Sequence, residues 1–227
     1  MKQLVFLAIA MFICVVTFAQ TTQRTVVEEK AGWSEFHVGV SFPSGDLGDD
    51  KIMGAGTGFG LGFKSYKPLE TILPNLSLVY GMELYYHGRS SDVKKEVEDD
   101  WGQGVDVTHP MMFNLPVTIG GNYTMPLNEG ISVYGELAFG LNVSYMTKEK
   151  AEATGWEYEC SYDPAFGFCY GLEAGIVFKE KYHIGIRYNN WGSYKYKYKE
   201  TYGSSENKDK TPKWDVSAAV LVLGVRF

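Results

Sequence analysis

The sequence predicts an all-β fold: an eight-stranded antiparallel up-and-down transmembrane β-barrel with long outer loops and short periplasmic turns. Three observations predict it. Segments that alternate large apolar with small or polar residues recur along the chain, as half-buried strands require. The connections between them alternate in length, which is typical of membrane barrels. The two faces of these strands also differ, because charged residues and glycines share one face.

Composition favours strands over helices. Of 227 residues, 15% are aromatic, 16 are tyrosine and 26 are glycine, a mixture that suits a strongly curved sheet. The formal net charge is −6 and no basic cluster occurs, which argues against a nucleic-acid partner.

The first residues have the features of a secretory signal peptide. A positive start precedes an apolar run at residues 4–18, and the small residue Ala19 completes a cleavage site. The run is shorter than the roughly 20 residues that a spanning helix needs. We therefore expect a signal peptide at residues 1–19, an N-terminal periplasmic tail at 20–32 and the barrel at 33–227.

The alternation defines the strands in order. The eight predicted strands lie at residues 36–42, 59–63, 76–84, 113–120, 131–143, 168–178, 182–188 and 219–227. Long polar connections lie at residues 43–54, 90–110, 147–167 and 200–213, whereas 126–129 and 179–181 are short and 67–75 is intermediate. Pro116 lies inside the fourth strand, where it removes one ladder hydrogen bond. We expect a bulge there, or bonding to an interior side chain or water.

The two faces of the strands predict which side is the interior. Most strand glycines share a face with most of the charges, and the concave side of an eight-stranded barrel leaves little room. The polar, glycine-rich face should therefore line the lumen, the reverse of a lipocalin-like barrel. The predicted lumen network consists of Glu35, His37, Lys64, Glu83, His87, Glu136, Glu173, His183, Arg187 and Arg226.

The last strand carries a family resemblance. Apolar residues alternate up to a final aromatic, at Leu221, Leu223, Val225 and Phe227. This stretch resembles the terminal strand of outer-membrane barrels, where it is an assembly signal. The whole mature chain is similar to small OmpA/OmpX-type barrels of Gram-negative bacteria, the porin-like "outer membrane protein beta-barrel" group. The resemblance implies a place in the bacterial outer membrane, contact with its lipid, and assembly by the barrel-assembly machinery.

No catalytic motif stands out, so we expect a non-enzymatic protein without a cofactor or metal. Buried charges need partners, so the lumen residues should form a salt-bridge network that plugs the barrel. The role would then be structural, or surface binding and adhesion to an unknown extracellular ligand through the outer loops. A narrow channel for small solutes or ions is the alternative. A lipid-modifying enzyme is the third, although His87 and Ser90 are three residues apart and should point to opposite faces of a strand.

Two cysteines remain after signal cleavage. Cys160 and Cys169 form a candidate disulfide in an oxidising compartment. The other interpretation is a pair of reduced thiols, one in a loop and one on a strand. Their spacing does not supply the geometry that would decide between the two.

Overall fold

The computed structural model describes residues 32–69, 72–102, 104–203 and 205–227. The signal peptide and all of the predicted tail except Gly32 lie outside these residues. The strands are β1 (Trp33–Gly45), β2 (Gly58–Pro68), β3 (Leu76–His87), β4 (Asp106–Thr108), β5 (Met112–Asn128), β6 (Ile131–Met146), β7 (Glu149–Ala153), β8 (Trp156–Tyr162), β9 (Ala165–Phe178), β10 (Tyr182–Tyr194), β11 (Lys197–Tyr202), β12 (Ser205–Lys210) and β13 (Trp214–Arg226). One helix, α1 (Ser91–Trp101), follows β3.

Eight antiparallel strands close into a barrel in the order β1-β13-β10-β9-β6-β5-β3-β2. β1 pairs with both of its neighbours, so that Val38 lies opposite Leu61 on β2 and Leu223 on β13. Closure leaves no strand edge whose N–H and C=O groups would lack partners in hydrocarbon. The predicted eight-stranded antiparallel barrel is confirmed, and each of its strands contains or overlaps a segment predicted from the alternation.

The long outer connections are more ordered than the sequence suggested. They contain α1 and a second sheet of five strands in the order β12-β11-β8-β7-β4, which we call the outer sheet. α1 begins after Ser90, whose Oγ accepts a hydrogen bond from the backbone N–H of Val93 at 3.4 Å and so caps the helix. Within the described residues, no helix has the length and hydropathy to cross a bilayer. The long polar connections predicted at 90–110, 147–167 and 200–213 therefore contain regular structure that was not predicted from the sequence.

The outer sheet continues the barrel wall. β7 follows β6, β9 follows β8, β11 follows β10 and β13 follows β12 after only a few residues in each case. Strands on one side of the barrel thus project beyond the mouth. These strands were not predicted from the sequence, because a strand that faces water lacks the large apolar residues that a lipid-facing strand carries at every second position.

The barrel wall is apolar on the outside and polar on the inside, as predicted. Large apolar side chains such as Leu141 and Ile186 are exposed on the outside, at 71% and 69%. Several interior glycines lie against rings: a Cβ on Gly62 would approach His37 Nε2 to 2.4 Å, whereas one on the outward Gly135 would meet nothing within 4 Å. An apolar exterior around an ionised interior is what a lipid bilayer requires of a barrel, so the fold is that of a membrane-spanning barrel of the outer-membrane type.

Pro116 interrupts the hydrogen-bond ladder between β3 and β5 but does not change its register. β3 and β5 keep one register on both sides, with Met82 opposite Val117 and Tyr85 opposite Asn114, while the ladder pairs between these positions are missing. Pro116 stays opposite Asn142 of β6. The register shift that a bulge would give is absent here, because the loss of one N–H donor breaks hydrogen bonds on one side only.

The two cysteines are free thiols, so the candidate disulfide is not formed. Cys160 lies on β8 in the outer sheet and Cys169 on β9 in the barrel, and these strands run on in the same direction. Nine residues of extended chain separate the cysteines by roughly 30 Å at about 3.3 Å per residue. A disulfide needs Cα atoms within about 7 Å.

Candidate functional site in the lumen and on the outer sheet

All of the ionisable residues predicted for the lumen are buried in the structure. They come from both sides of the barrel, because alternate residues of every strand point inward. Most of them form one network around the barrel axis. His87 lies apart from it, nearer the outer end of β3.

Arg187 lies at the centre of the network. Its Nε donates to Glu173 Oε2 at 2.7 Å, Nη2 pairs with the same carboxylate, and Nη1 pairs with Glu83. Nη1 also donates to the hydroxyl of Tyr85 at 2.9 Å. The guanidinium therefore joins β3 to β9 and β10 across the lumen, with the planar donor geometry that suits carboxylates.

Lys64 links Glu173 to a further carboxylate, that of Glu136. Its Nζ pairs with Glu136 and donates to Glu173 Oε2 at 2.9 Å. Asn122 Nδ2 donates to Glu136 Oε2 at 3.2 Å, and the hydroxyl of Tyr66 donates to the same oxygen at 3.2 Å. Glu136 thus has three donors, which offset the cost of burying its charge.

Glu35 and Arg226 close the network at the opposite end of the barrel from the outer sheet. Arg226 Nε donates to Glu35 Oε2 at 3.3 Å, and the guanidinium lies 5.5 Å from the ring centres of Trp33, Tyr66 and Tyr134. Cation–π contacts of this kind partly compensate a cation for lost water.

Two histidines lie between the carboxylates. His37 places Nδ1 3.5 Å from Glu35 and Nε2 3.2 Å from Glu83. His183 places Nδ1 3.3 Å from Glu35. The predicted lumen residues other than His87 therefore share one cluster.

Tyrosine hydroxyls complete the cluster, and the sequence analysis missed them. The hydroxyl of Tyr134 donates to Glu173 Oε1 at 2.6 Å, and that of Tyr85 donates to Glu83 Oε2 at 2.8 Å. Each tyrosine is two residues from a lumen glutamate or lysine on its own strand. The same alternation that selected Glu83, Glu136 and Lys64 therefore places Tyr85, Tyr134 and Tyr66 inside.

An aromatic layer lies above the charges. Tyr85 packs on Trp191 with ring centres 4.8 Å apart, and the first outer loop adds Leu47 and Met53, both buried. His87 meets the edge of Trp191 at 5.6 Å. This layer closes the outer end of the lumen.

The space inside the barrel is small. A cavity beside the network, lined by Lys64, Glu83 and Arg187 among others, has a volume of about 20 Å³. That is close to the minimum that one water molecule needs. The side chains therefore fill this part of the lumen.

His87 has an unpredicted partner. Its Nε2 lies 2.9 Å from Ser41 Oγ on β1, whereas Ser90, the serine nearer in the chain, caps α1. Both members of the pair are fully buried, and His87 Nδ1 has no hydrogen-bond partner among the described residues. A hydrolytic site would need a third group that orients the histidine and access for the substrate. Neither is provided by these contacts.

The outer sheet has an aromatic face. Tyr158 lies opposite Tyr202 on the neighbouring strand, and Trp156 shares their face. Trp101 of α1 stacks on Trp156 and Tyr158, with ring centres 5.4 and 5.3 Å apart. Tyr202 remains 58% exposed. We call Trp101, Trp156, Tyr158 and Tyr202 the aromatic face.

The opposite face of the same strands carries alternating charges. Lys150 lies within 4 Å of Glu152, Glu157 and Glu159. On the last hairpin, hydrogen bonds from Lys199 and Lys208 lower the pKa of Glu206 to about 2. Pairs this exposed contribute little stability, but they keep the face soluble and discourage edge pairing.

The residues of the predicted assembly signal lie on the outside of the barrel. Leu221, Leu223 and Val225 alternate along β13 on the lipid-facing side, and Phe227 follows at the end. The backbone N–H of Phe227 donates to the carbonyl of Ser34 at 2.9 Å, and its own carbonyl accepts from the N–H of Ser34 at 2.8 Å. The last residue therefore takes part in barrel closure.

Comparisons with known proteins give likenesses in structure but none in sequence. No protein-family model matches the chain, and no curated protein matches it. Among solved structures, Neisserial surface protein A is similar, with 12% identity, a TM-score of 0.49 and coverage of 86% of this chain and 95% of that one. OprG from Pseudomonas aeruginosa has 14% identity, a TM-score of 0.49 and coverage of 88% and 97%. A major outer-membrane protein from Thermus thermophilus has 12% identity, a TM-score of 0.49 and coverage of 87% and 100%.

Proposed function

We propose that this chain is a non-enzymatic integral outer-membrane protein, a sealed barrel that carries a recognition surface outside the cell. The observation behind the proposal is the aromatic face of the outer sheet, which is partly exposed above a lumen filled with side chains. Aromatic side chains often anchor binding because they bury a large area at low entropic cost. The ligand would be an extracellular molecule, and the outer sheet would bind it in adhesion.

The lumen network has a structural role in this proposal. Its carboxylates and cations hold opposite walls together. The single side chain of Arg187, for example, contacts side chains from two other strands. A rigid, filled barrel suits a platform for the outer sheet better than a conduit.

Replacing two members of the aromatic face tests the binding role. Cells displaying the wild-type protein, Trp156→Ser/Tyr202→Ser, or the control Glu152→Gln/Glu157→Gln would be passed over immobilised extracellular-matrix proteins and a glycan array. The control changes two exposed residues on the β7–β8 hairpin, which also carries Trp156. We expect adhesion of wild-type and control cells and its loss in the aromatic variant. Adhesion that is equal in all three, or that is absent in wild-type cells, would refute the proposal.

A narrow channel is the second candidate. The observation that favours it is a set of buried polar atoms without hydrogen-bond partners among the described residues, including Nδ2 of Asn114 and Nη2 of Arg226. Such atoms can hold water. Single-channel recording separates the two functions: conductance steps that disappear in Glu136→Gln or Arg187→Met would support transport, whereas their absence supports the sealed barrel.

A lipid-modifying enzyme is the third candidate. The observation that favours it is the contact between His87 and Ser41, since a histidine beside a serine hydroxyl is part of many hydrolytic sites. Mass spectrometry of lipid A from cells with and without the gene would expose such an activity. We expect identical spectra. A difference that Ser41→Ala abolishes would replace the non-enzymatic proposal.

We also infer that Leu221, Leu223, Val225 and Phe227 are read by the barrel-assembly machinery during biogenesis. Their alternation on the lipid-facing side of the closing strand supports this role.

A further inference from the structure

A window interrupts the barrel wall between β9 and β10. The last ladder pair below it joins Tyr170 to Asn190, and the first pair above it joins Tyr162 to Tyr198 in the outer sheet. Between them, no ladder pair links these two chain segments in the described part of the chain. The backbone N–H of Asp163 donates to the carbonyl of Lys197 at 2.9 Å and forms the upper edge.

The two strands beside the window keep their other neighbours. β9 stays paired with β6 as far as Ala165, and β10 stays paired with β13 as far as Tyr194. The register between β10 and β13 shifts between Asn190 and Gly192, and Gly192 has a φ of 113°. A bulge bends its strand locally, and the ladder between β9 and β10 ends at Asn190, just before this bulge.

A cavity of about 240 Å³ occupies the window. At about 30 Å³ per water molecule in the liquid, this is on the order of eight waters, which is enough for a small polar headgroup. Tyr194 forms its inner wall: its ring is buried, its hydroxyl accepts from Asn142 Nδ2 at 2.9 Å, and it donates to the carbonyl of Trp191. The cavity therefore opens outward and is separated from the lumen.

The rim combines cations with an apolar surface. Lys195 and Lys197 are exposed, and neither has an ion-pair partner among the described residues, unlike Lys148 and Lys150 higher on the outer sheet. Phe166, at 69% exposure, lines the same cavity. Phe168 follows on the lipid-facing side at 60% exposure.

We propose that the window is a lipid site, which takes the phosphate headgroup of an outer-leaflet lipid between Lys195 and Lys197 and lays its acyl chains along Phe166 and Phe168. Asp163 and Ser193 are the other polar side chains at the rim, and Ser193 is engaged by Asp215. Among the described residues no carboxylate lies within 4 Å of the ammonium group of Lys195 or Lys197, so both cations are free to pair with an anionic group. The exposed phenylalanines next to the cations favour a lipid over a soluble phosphate.

Native mass spectrometry of the folded protein in detergent tests this site. The wild-type protein would be titrated with phosphatidylglycerol, with phosphatidylcholine of the same acyl chains, and with glycerol 3-phosphate. The test variant is Lys195→Gln/Lys197→Gln. The matched control is Lys94→Gln/Lys95→Gln on the exposed side of α1, which removes the same charge from the same end of the molecule.

We expect the wild-type protein and the control to prefer phosphatidylglycerol, and the test variant to bind it about thirtyfold more weakly, as two lysines at an anionic headgroup predict. Lys195→Arg/Lys197→Arg should retain binding, which separates loss of charge from loss of fold. Equal binding of phosphatidylcholine, equal weakening in the control, or binding of glycerol 3-phosphate as tight as that of the lipid would overturn the proposal. These variants leave the aromatic face intact, so the result is independent of adhesion.

Discussion

Replacing Arg187 with methionine removes the cation that joins three strands inside the barrel. The guanidinium is 3% exposed and pairs with Glu83 and Glu173, and it also donates to the hydroxyl of Tyr85. Methionine keeps much of the aliphatic stem but leaves both carboxylates without this partner. We therefore expect the Arg187→Met variant to be less stable than the wild type.

The size of this loss in stability depends on the hydrogen-bond donors that each carboxylate keeps in the variant. Breaking a buried ion pair by removing one partner typically costs about 3–5 kcal/mol. Glu173 keeps Lys64 and Tyr134 as donors, and Glu83 keeps Tyr85. Because neither charge is left entirely alone, the expected loss in the free energy of unfolding lies near the lower end, about 3 kcal/mol.

Urea unfolding in lipid vesicles, followed by tryptophan fluorescence, measures this loss. The mobility of unboiled samples on a detergent gel reports the folded fraction independently. Lys208→Met is the matched control, since its pair with Glu206 at 2.8 Å is exposed and should contribute nothing measurable. The second variant, Arg187→Met/Glu83→Gln, should recover part of the loss because it also removes one of the unpaired charges.

An Arg187→Met protein that unfolds at the same urea concentration as the wild type would refute the reasoning. So would a double variant less stable than the single one, because that would mean that the charge of Glu83 does not oppose burial once Arg187 is gone.

Three further predictions concern single positions. Gly62→Ala should lower stability by about 1–3 kcal/mol, since its Cβ would lie 2.4 Å from the His37 ring, whereas Gly135→Ala on the open outer face should be neutral in the same urea experiment. Burial raises the pKa of the Cys160 thiol, so maleimide at neutral pH should label it only after denaturation, and the mobility of the protein should not depend on a reductant; a band that a reductant shifts would reveal a bridge to Cys169. Deleting Phe227 should reduce the amount of heat-modifiable barrel in outer-membrane fractions, and unchanged levels would count against its role in assembly.

The alternation along each strand predicted a large part of the interior because it is a local property. Glu83 and Tyr85, or Glu136 and Tyr134, are two residues apart and must share a face in any straight strand. The abundance of glycine on that face then identified it as the concave one. Rings such as His37 fit inside because the glycine opposite, Gly62, has no side chain.

Partners across the lumen could not be predicted in this way. Arg187 and Glu83 are 104 residues apart, and their contact depends on how eight strands are staggered when the barrel closes. The pair formed by His87 and Ser41 is of the same kind, since the two residues are 46 positions apart in the chain. Chain proximity carries no information about which inward residues meet across the axis.

The sequence by itself determined the eight strands of the barrel, their closed antiparallel arrangement and the side of the wall that faces lipid, because a period of two and the distribution of glycine are local properties of the chain. Only the tertiary structure decided that the outer connections form a sheet with one aromatic face, that the cysteines lie too far apart to pair, and that the ladder between β9 and β10 ends beside the bulge at Gly192. Each of these depends on which strands become neighbours and in what register, and register is fixed by the closure of the whole barrel.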